Sequence, residues 1–398
     1  MERIVTTDLP SHVGRRVLLQ GWLQRERHLA RVSFALIRDR AGTAQIVAER
    51  PLALPAETVV EVEGDVRAST QAPGGVELHE PDVRVLARAA APSPIELHRP
   101  DPLESLPHRL DHAAVALRHP RVRDRFRLAA RSVAAFRAAL DDGGFTEIQT
   151  PKIVASATEG GANVFRIDYF GRDAYLAQSP QFYKQTMVGV FERVYEVGPV
   201  FRAEPHDTGR HLAEYVSLDA ELGFIRDHHD VITLVREVVS AMLDAVGEPV
   251  PAEMPVVDFA EVRTGSEDDL SPADERRICG EYGELVFVQG FPTAKRPFYT
   301  HPDPARPEFS RGFDLLFRGL EIVTGGQRLH RYDDYLAALA ARGTDPAPFG
   351  CYLEAFRYGM PPHGGFALGL ERWTAQLLGL RNVRETTLFP RDRNRVAP

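Results

Sequence analysis

In VFRAEPHDTGRHLAEYVSLDAEL, residues 200–222, charged and polar residues fall on alternate positions of two extended runs around a polar loop. Successive strand side chains point to opposite faces, so Val200, Arg202 and Glu204 are expected on one side of the first run. In the second run Tyr215, Ser217, Asp219 and Glu221 share one face, and Val216, Leu218, Ala220 and Leu222 share the other. Such alternation usually marks the wet face of an antiparallel sheet. An Arg, several carboxylates and a ring on one side equally suit a pocket for a charged, planar ligand.

Three further groups favour the pocket. Glu159 precedes a glycine pair, and Gln181 and Lys184, three apart, share a face of the helix that Ser179-Pro180 opens. An amide, an ammonium and a nearby carboxylate suit a small zwitterion. In GFDLLFRGLEIVTGGQRLHRY, 312–332, Asp314, Glu321 and Thr324 are hard oxygen donors of the kind Mg2+ accepts when phosphates complete its shell. Arg328 follows a Gly-Gly turn there, and carboxylates buried in an apolar strand must be paired or bound. HGGFALGLERWTAQLLGL, 363–380, is a glycine-rich strand entering a helix that opens on Glu371-Arg372. Its small residues let a flat ring approach the backbone, and Arg372 can stack on that ring or reach phosphate. The glycine spacing fits neither a Walker loop nor GxGxxG.

Each group alone has a bland reading: a capped helix, a structural acid pair, a tight turn. Together they supply what activation of an amino acid by ATP requires. Attack of a carboxylate on the α-phosphorus builds negative charge that Arg and Mg2+ stabilise, and an anionic nucleophile needs no general base.

The elements that must position these residues follow from patterning. Five short apolar-alternating runs between 13 and 90, separated by turn formers and without a helix, predict a small barrel of the OB type as residues 1–90. The Pro-rich stretch 91–110 reads as a linker. Residues 111–398 then form the larger domain, opened by a helix with apolar residues at Phe126, Leu128, Ala129, Val133, Phe136 and Leu140, and stopped by Gly143-Gly144. TEIQTPKIV reads as an edge or interface strand, because Pro151 withholds a backbone donor. Helices are expected near 181–191, 230–246, 331–342 and 371–379, flanking a mostly antiparallel sheet: an α+β architecture.

Composition sets the outer limits. The chain has 398 residues, is 43% hydrophobic, and contains no run long enough to span a membrane. Cys279 and Cys351 are too few for a disulfide framework or a zinc site. These features predict a soluble, cytoplasmic protein. A net charge of -8 requires any RNA partner to be met by a local basic surface, and it disfavours DNA as a partner. Lys occurs only at 152, 184 and 295 in an Arg-rich chain, so each marks a candidate place for a compact point charge.

The motifs also carry a resemblance that spans essentially the whole chain. FRAE…RHL resembles motif 2 of class II aminoacyl-tRNA synthetases, GLER at 369–372 their motif 3, and the helix ending in GFTEIQTPKI their dimer-forming motif 1. YLAQSPQFYKQ, EIVTGGQRLHRY, YGMPPHGGFALGLER and LFPRDRNRVAP are similar to aspartyl-tRNA synthetases of the compact archaeal/eukaryotic type.

The resemblance implies the following roles. Arg202 binds the α-phosphate and the substrate carboxylate, and Arg202, Arg372 and Glu321 are the catalytic set. ATP contacts run through Arg202, Ala203, Glu204, Arg210, His211, Leu212 and Tyr215, then Glu321, Gly369, Leu370, Glu371 and Arg372. Asp314, Glu321 and Thr324 hold Mg2+. Lys184 and Arg328 grip the aspartate side chain, while Glu159, Gln181, Asp219 and Thr324 surround the rest of the amino acid together with Arg202. Phe34, Gln45 and Glu77 match anticodon-reading positions, in keeping with recognition of splayed, stacked bases. Pro151 marks a homodimer interface. The implied partners are ATP, L-aspartate and tRNA-Asp, with tRNA-Asn left open.

Ala367, Pro205, Gln24, Thr70 and Gln71 depart from the family pattern. Gln24 and Gln71 motivate an alternative, a paralogue that adenylates aspartate for a non-translational acceptor. A third reading, an RNA-binding protein on a decayed scaffold, is disfavoured by the intact set Arg202, Glu204, Asp314, Glu321 and Arg372.

Overall fold

A computed structural model describes residues 1–29, 31–155, 163–205, 207–265 and 269–397. The chain divides into two compact units, Met1–Arg123 and Asp124–Pro398.

In the first unit, β1 (Arg16–His28), β2 (Ser33–Arg38), β3 (Thr43–Ala48), β4 (Val59–Ala68) and β5 (Val76–Ala87) close a barrel in the order β1-β2-β3-β5-β4. The alternating runs fill it: Val17, Leu19, Leu23, Ile37, Ile46, Val60, Val62 and Leu78 point inward and form one core. Residues 91–105 are irregular, and Leu106–Asp111 is a helix capped by Ser105. Ile95 and Leu97 of that segment are buried with Ala116.

The second unit is built on an eight-stranded sheet. Its strands are β6 (Thr146–Glu147), a pair β10 (Arg193–Phe201) and β11 (Glu214–Gly223), and β12 (Val256–Asp258) through β16 (His363–Gly369). Between these last lie β13 (Leu285–Gln289), β14 (Gly312–Phe317) and β15 (Leu320–Gln327). The order is β12-β13-β14-β15-β16-β11-β10-β6, antiparallel except at its two ends. A separate three-stranded sheet joins β7 (Ile153–Val154), β8 (Arg166–Tyr169) and β9 (Arg172–Leu176).

TEIQTPKIV is therefore not one strand. Thr146–Glu147 and Ile153–Val154 belong to different sheets, and the exposed Pro151, which cannot donate to a ladder, lies between them.

One face of the large sheet is apolar. Leu218, Ala220 and Leu222 of β11, with Phe366 and Leu368 of β16, pack against Phe136 and Leu140 of helix Pro120–Asp142. Val231, Val235 and Val239 of helix His228–Val246 extend the same core. The period-2 pattern consequently turns Ser217, Asp219 and Glu221 to the opposite face, where the site is built.

Candidate active site

Two charge arrangements lie on that face. The first is a buried cluster. Lys184, from helix Gln181–Phe191, donates to Asp219 Oδ1 at 2.9 Å and to the Phe366 carbonyl at 3.0 Å, and lies 3.3 Å from Glu221 Oε2. Arg328, just past β15, donates to Glu221 Oε1 and to the Gly365 carbonyl, both at 3.0 Å. No side chain of the four is more than 7% exposed. Burial alone would raise the Glu221 pKa, but the charges of Arg328 and Lys184 outweigh it and hold the carboxyl below its ordinary range. Gly365 is obligatory here for space: a Cβ would fall on the Ala220 carbonyl and the Glu221 carboxylate.

The second is a cavity of about 180 Å³. Arg202, Glu204, Arg210, His211, Leu212 and Tyr215 line it from one side, and Glu321, Thr324, Gly369, Glu371 and Arg372 from the other. β10 ends at Phe201 and Val200 is buried, so Arg202 and Glu204 reach the cavity from the loop that follows the strand, not from a shared strand face. The Arg202 guanidinium lies 5.6 Å from the centre of the Tyr215 ring. Arg372 donates to the Glu321 carbonyl at 3.1 Å and to its carboxylate at 3.4 Å. Arg210 is ion-paired to Glu275 of helix Pro272–Tyr282, and His211 is 2.7 Å from the Thr208 hydroxyl.

The cavity and the cluster meet at two points. Ser217 lines the cavity and bonds Asp219 through its hydroxyl. Ala367 lines it too, pairs with Asp219 across β11 and β16, and follows Phe366, whose carbonyl holds Lys184. Lys184 and Arg328 themselves are not among the cavity's lining residues.

Glu371 behaves differently from its neighbours. Both of its carboxylate oxygens accept from the Val216 amide at 3.1 Å, and burial pushes its carboxyl up to about 7. The amide opposes that shift without cancelling it.

Asp314 and Thr324 face each other across β14 and β15, and Glu321 immediately precedes a bulge on β15 in the same pair. Arg296 forks onto Asp314 at 2.7 and 3.2 Å and reaches the Thr324 hydroxyl at 3.3 Å. Partial withdrawal from water in the cavity wall raises the Glu321 pKa although its side chain stays about one-third exposed; the like charge of Asp314 adds to it, and Arg372 and Arg296 oppose both. Two carboxylates and a hydroxyl on neighbouring strands are hard oxygen donors of the kind a divalent cation accepts, and in this structure Arg296 occupies the Asp314 carboxylate.

The remaining expected residues lie as follows. Gln181 is buried and donates to Gln185 at 3.0 Å. Ala203 donates its amide to the Asn163 carbonyl, and Leu370 packs against the apolar core; neither lines the cavity. Glu159 lies outside the described residues. In the barrel, Gln45 and Glu77 pair across β3 and β5 and their side chains bond at 2.8 Å. His79 holds the other Glu77 oxygen at 2.9 Å, and Phe34 on β2 is two residues from Leu36, which pairs with Gln45. Gln24 is buried and donates to the Leu97 carbonyl at 2.8 Å, whereas Gln71 is exposed.

Four residues carry weight that the sequence did not assign to them. Glu221 was visible only as a member of the polar face; Arg296, Glu275 and Gln185 gave no signal, since their partners are remote in the chain. Among the described residues, no helix is long and apolar enough to cross a membrane.

Comparison with known proteins identifies the family. Residues 105–393 match the family of class II tRNA synthetases (D, K and N), and residues 17–86 match the OB-fold nucleic acid binding domain. The aspartate–tRNA(Asp/Asn) ligase of Deinococcus radiodurans is 45% identical over 433 residues, covering 100% of this chain and 99% of the relative. That of Archaeoglobus fulgidus is 42% identical over 431 residues, with 100% of both chains covered. The crystal structure of asparaginyl-tRNA synthetase from Pyrococcus horikoshii complexed with asparaginyl-adenylate superposes with a TM-score of 0.92 at 30% identity, covering 100% of both chains. The chain belongs to the class II tRNA synthetases of the D, K and N group.

Proposed function

We propose that this chain is an aspartate–tRNA ligase, which activates L-aspartate with ATP and transfers it to the 3′ end of tRNA-Asp and of tRNA-Asn. The observation that carries the amino-acid assignment is the buried quartet of Lys184, Asp219, Glu221 and Arg328 beside the cavity. When the substrate ammonium takes Asp219, Lys184 loses a partner out of water, and a side-chain carboxylate replaces it. The neutral amide of asparagine would leave Lys184 and Arg328 sharing the single charge of Glu221, one buried positive charge in excess, a discrimination on the order of several kcal/mol. The names of the relatives support both tRNAs.

In the activation step Arg202 holds the substrate carboxylate and the α-phosphate together, and Tyr215 and Arg372 enclose the adenine. Arg210 and His211 hold the outer phosphates, and Glu204 reads the amino group of the base. Asp314, Glu321 and Thr324 would hold Mg2+, which supplies charge neutralisation on the phosphates when bound. Glu159, Gln181 and Thr324 complete the amino-acid site. Phe34, Gln45 and Glu77 form the anticodon face, and the region of Pro151 a homodimer interface in a cytoplasmic enzyme.

The paralogue reading loses one of its two supports, because Gln24 tethers the 91–98 segment to the barrel and so has a structural reason to be there. The deciding experiment is aspartate-dependent pyrophosphate exchange, followed by charging of purified tRNA-Asp and tRNA-Asn side by side. Exchange with aspartate and charging of both is expected. Equal exchange with asparagine overturns the pocket assignment, and exchange without charging of either tRNA selects the paralogue. Sedimentation at micromolar concentration tests the dimer.

A further inference from the structure

Gln185 is fully buried one helical turn after Gln181, and both sides of its amide are occupied. On one side lie the Tyr335 hydroxyl at 3.1 Å and His363 Nε2 at 2.9 Å. On the other lie Gln181 at 3.0 Å and the Tyr352 hydroxyl at 2.8 Å. Amide oxygen and nitrogen have nearly the same shape, so orientation must come from partners whose role is fixed.

Two backbone carbonyls provide that. The Pro361 carbonyl, 2.9 Å from His363 Nδ1, can only accept, so Nδ1 carries the hydrogen. Burial draws the ring's pKa down to about 4, so at neutral pH Nε2 is left as a bare acceptor. The Leu329 carbonyl takes the Tyr335 hydrogen at 2.9 Å, leaving that oxygen as an acceptor as well. Gln185 must present its NH2 to both. Its oxygen then faces Gln181 and Tyr352, which obliges Gln181 to donate. The Gln181 oxygen is left without a partner among the described residues.

We infer that His363, acting through Gln185, fixes the Gln181 amide with its oxygen as the free acceptor, and so prepares Gln181 to bind the substrate ammonium. An ammonium offers three donors and no acceptor, so the reversed amide would oppose N–H to N–H. His363 and Gln185 are thus positioning residues. The inference rests on the reading of Gln181 as part of the amino-acid site.

Histidine-selective 15N labelling of the full chain reads the ring directly. The Nδ1–H tautomer of His363 is expected at neutral pH; the Nε2–H tautomer, or a doubly protonated ring, overturns the relay. Gln185→Met keeps the bulk and removes the relay. The aspartate KM is expected to rise about tenfold, the scale of one misoriented charge-assisted hydrogen bond. The ATP KM, and inhibition by succinate, which lacks the ammonium, should stay within about twofold of wild type. A parallel loss of ATP and succinate binding indicates a merely structural role and overturns the inference, as does an unchanged aspartate KM. If Gln181→Ala leaves the aspartate KM unaltered while the tautomer stands, the assignment of Gln181 to the site fails and the relay loses its purpose. The tautomer measurement needs no variant to fold.

Discussion

The quartet of Lys184, Asp219, Glu221 and Arg328 and the cavity bounded by Arg202, Arg210 and Arg372 use the same residue types to opposite ends. In the quartet every charge is neutralised out of water by a partner from another element. Around the cavity the side chains of Arg210, Arg372 and Glu321 are about one-third exposed, at 31%, 31% and 36%. A buried pair collapses badly when one member is removed, because the survivor is a bare charge, whereas an open pair loses little. On the proposed roles, selectivity is tied to stability in the quartet, and binding and release are left to the cavity.

Substitutions can break that contrast. The largest effect is expected from Arg202→Ala, which should lower the exchange rate by about a thousandfold, the loss of a donor aimed at developing charge, while the melting curve barely moves. Lys184→Ala should greatly weaken aspartate-dependent exchange, though less than Arg202→Ala does, and also cost about 3–5 kcal/mol in denaturant unfolding. If it leaves stability intact, the quartet is not the buried unit described.

Next come two pH effects of opposite sign. The Glu221 carboxyl is lowered in the fold, so its contribution is present above the ordinary value of 4.5 and is lost as pH falls through the lower folded value. Glu221→Gln should flatten that acid limb. Glu371 is raised to about 7, so between 4.5 and about 7 the folded chain holds a proton that the unfolded chain has released. Its effect is a stability that declines as pH rises through that window, at most about 1.4 kcal/mol per unit. Glu371→Gln should remove the slope; thermal melting from pH 4 to 8 measures it, and the same melts carried to lower pH measure the Glu221 limb. The smallest change is expected from Arg210→Ala: the ATP KM rises, and stability shifts by less than about 1 kcal/mol.

What could be read from the sequence follows the same division. The barrel's alternating runs and the helices expected near 181–191 and 230–246, found at 181–191 and 228–246, were legible because periodicity is local. So was the polar face of β11. What faces it was not, since Glu221 meets an Arg 107 positions away and Gln185 meets a His 178 positions away. TEIQTPKIV misled for a related reason: Pro151 was visible, but the decision to split the segment between two sheets depends on which strands stand on either side. Arg296 had no spacing to betray it, because a counter-charge is defined by the anion it meets after folding.

Gly365 shows how such a pocket constrains inheritance. Its backbone angles are ordinary, so nothing about its conformation forbids alanine; only the crowding of Glu221 and Ala220 does. A scan of single replacements would score this position as severely as a substrate contact, although what it provides is vacancy. Any replacement of the charged groups around the hollow must leave open the space of that missing methyl group.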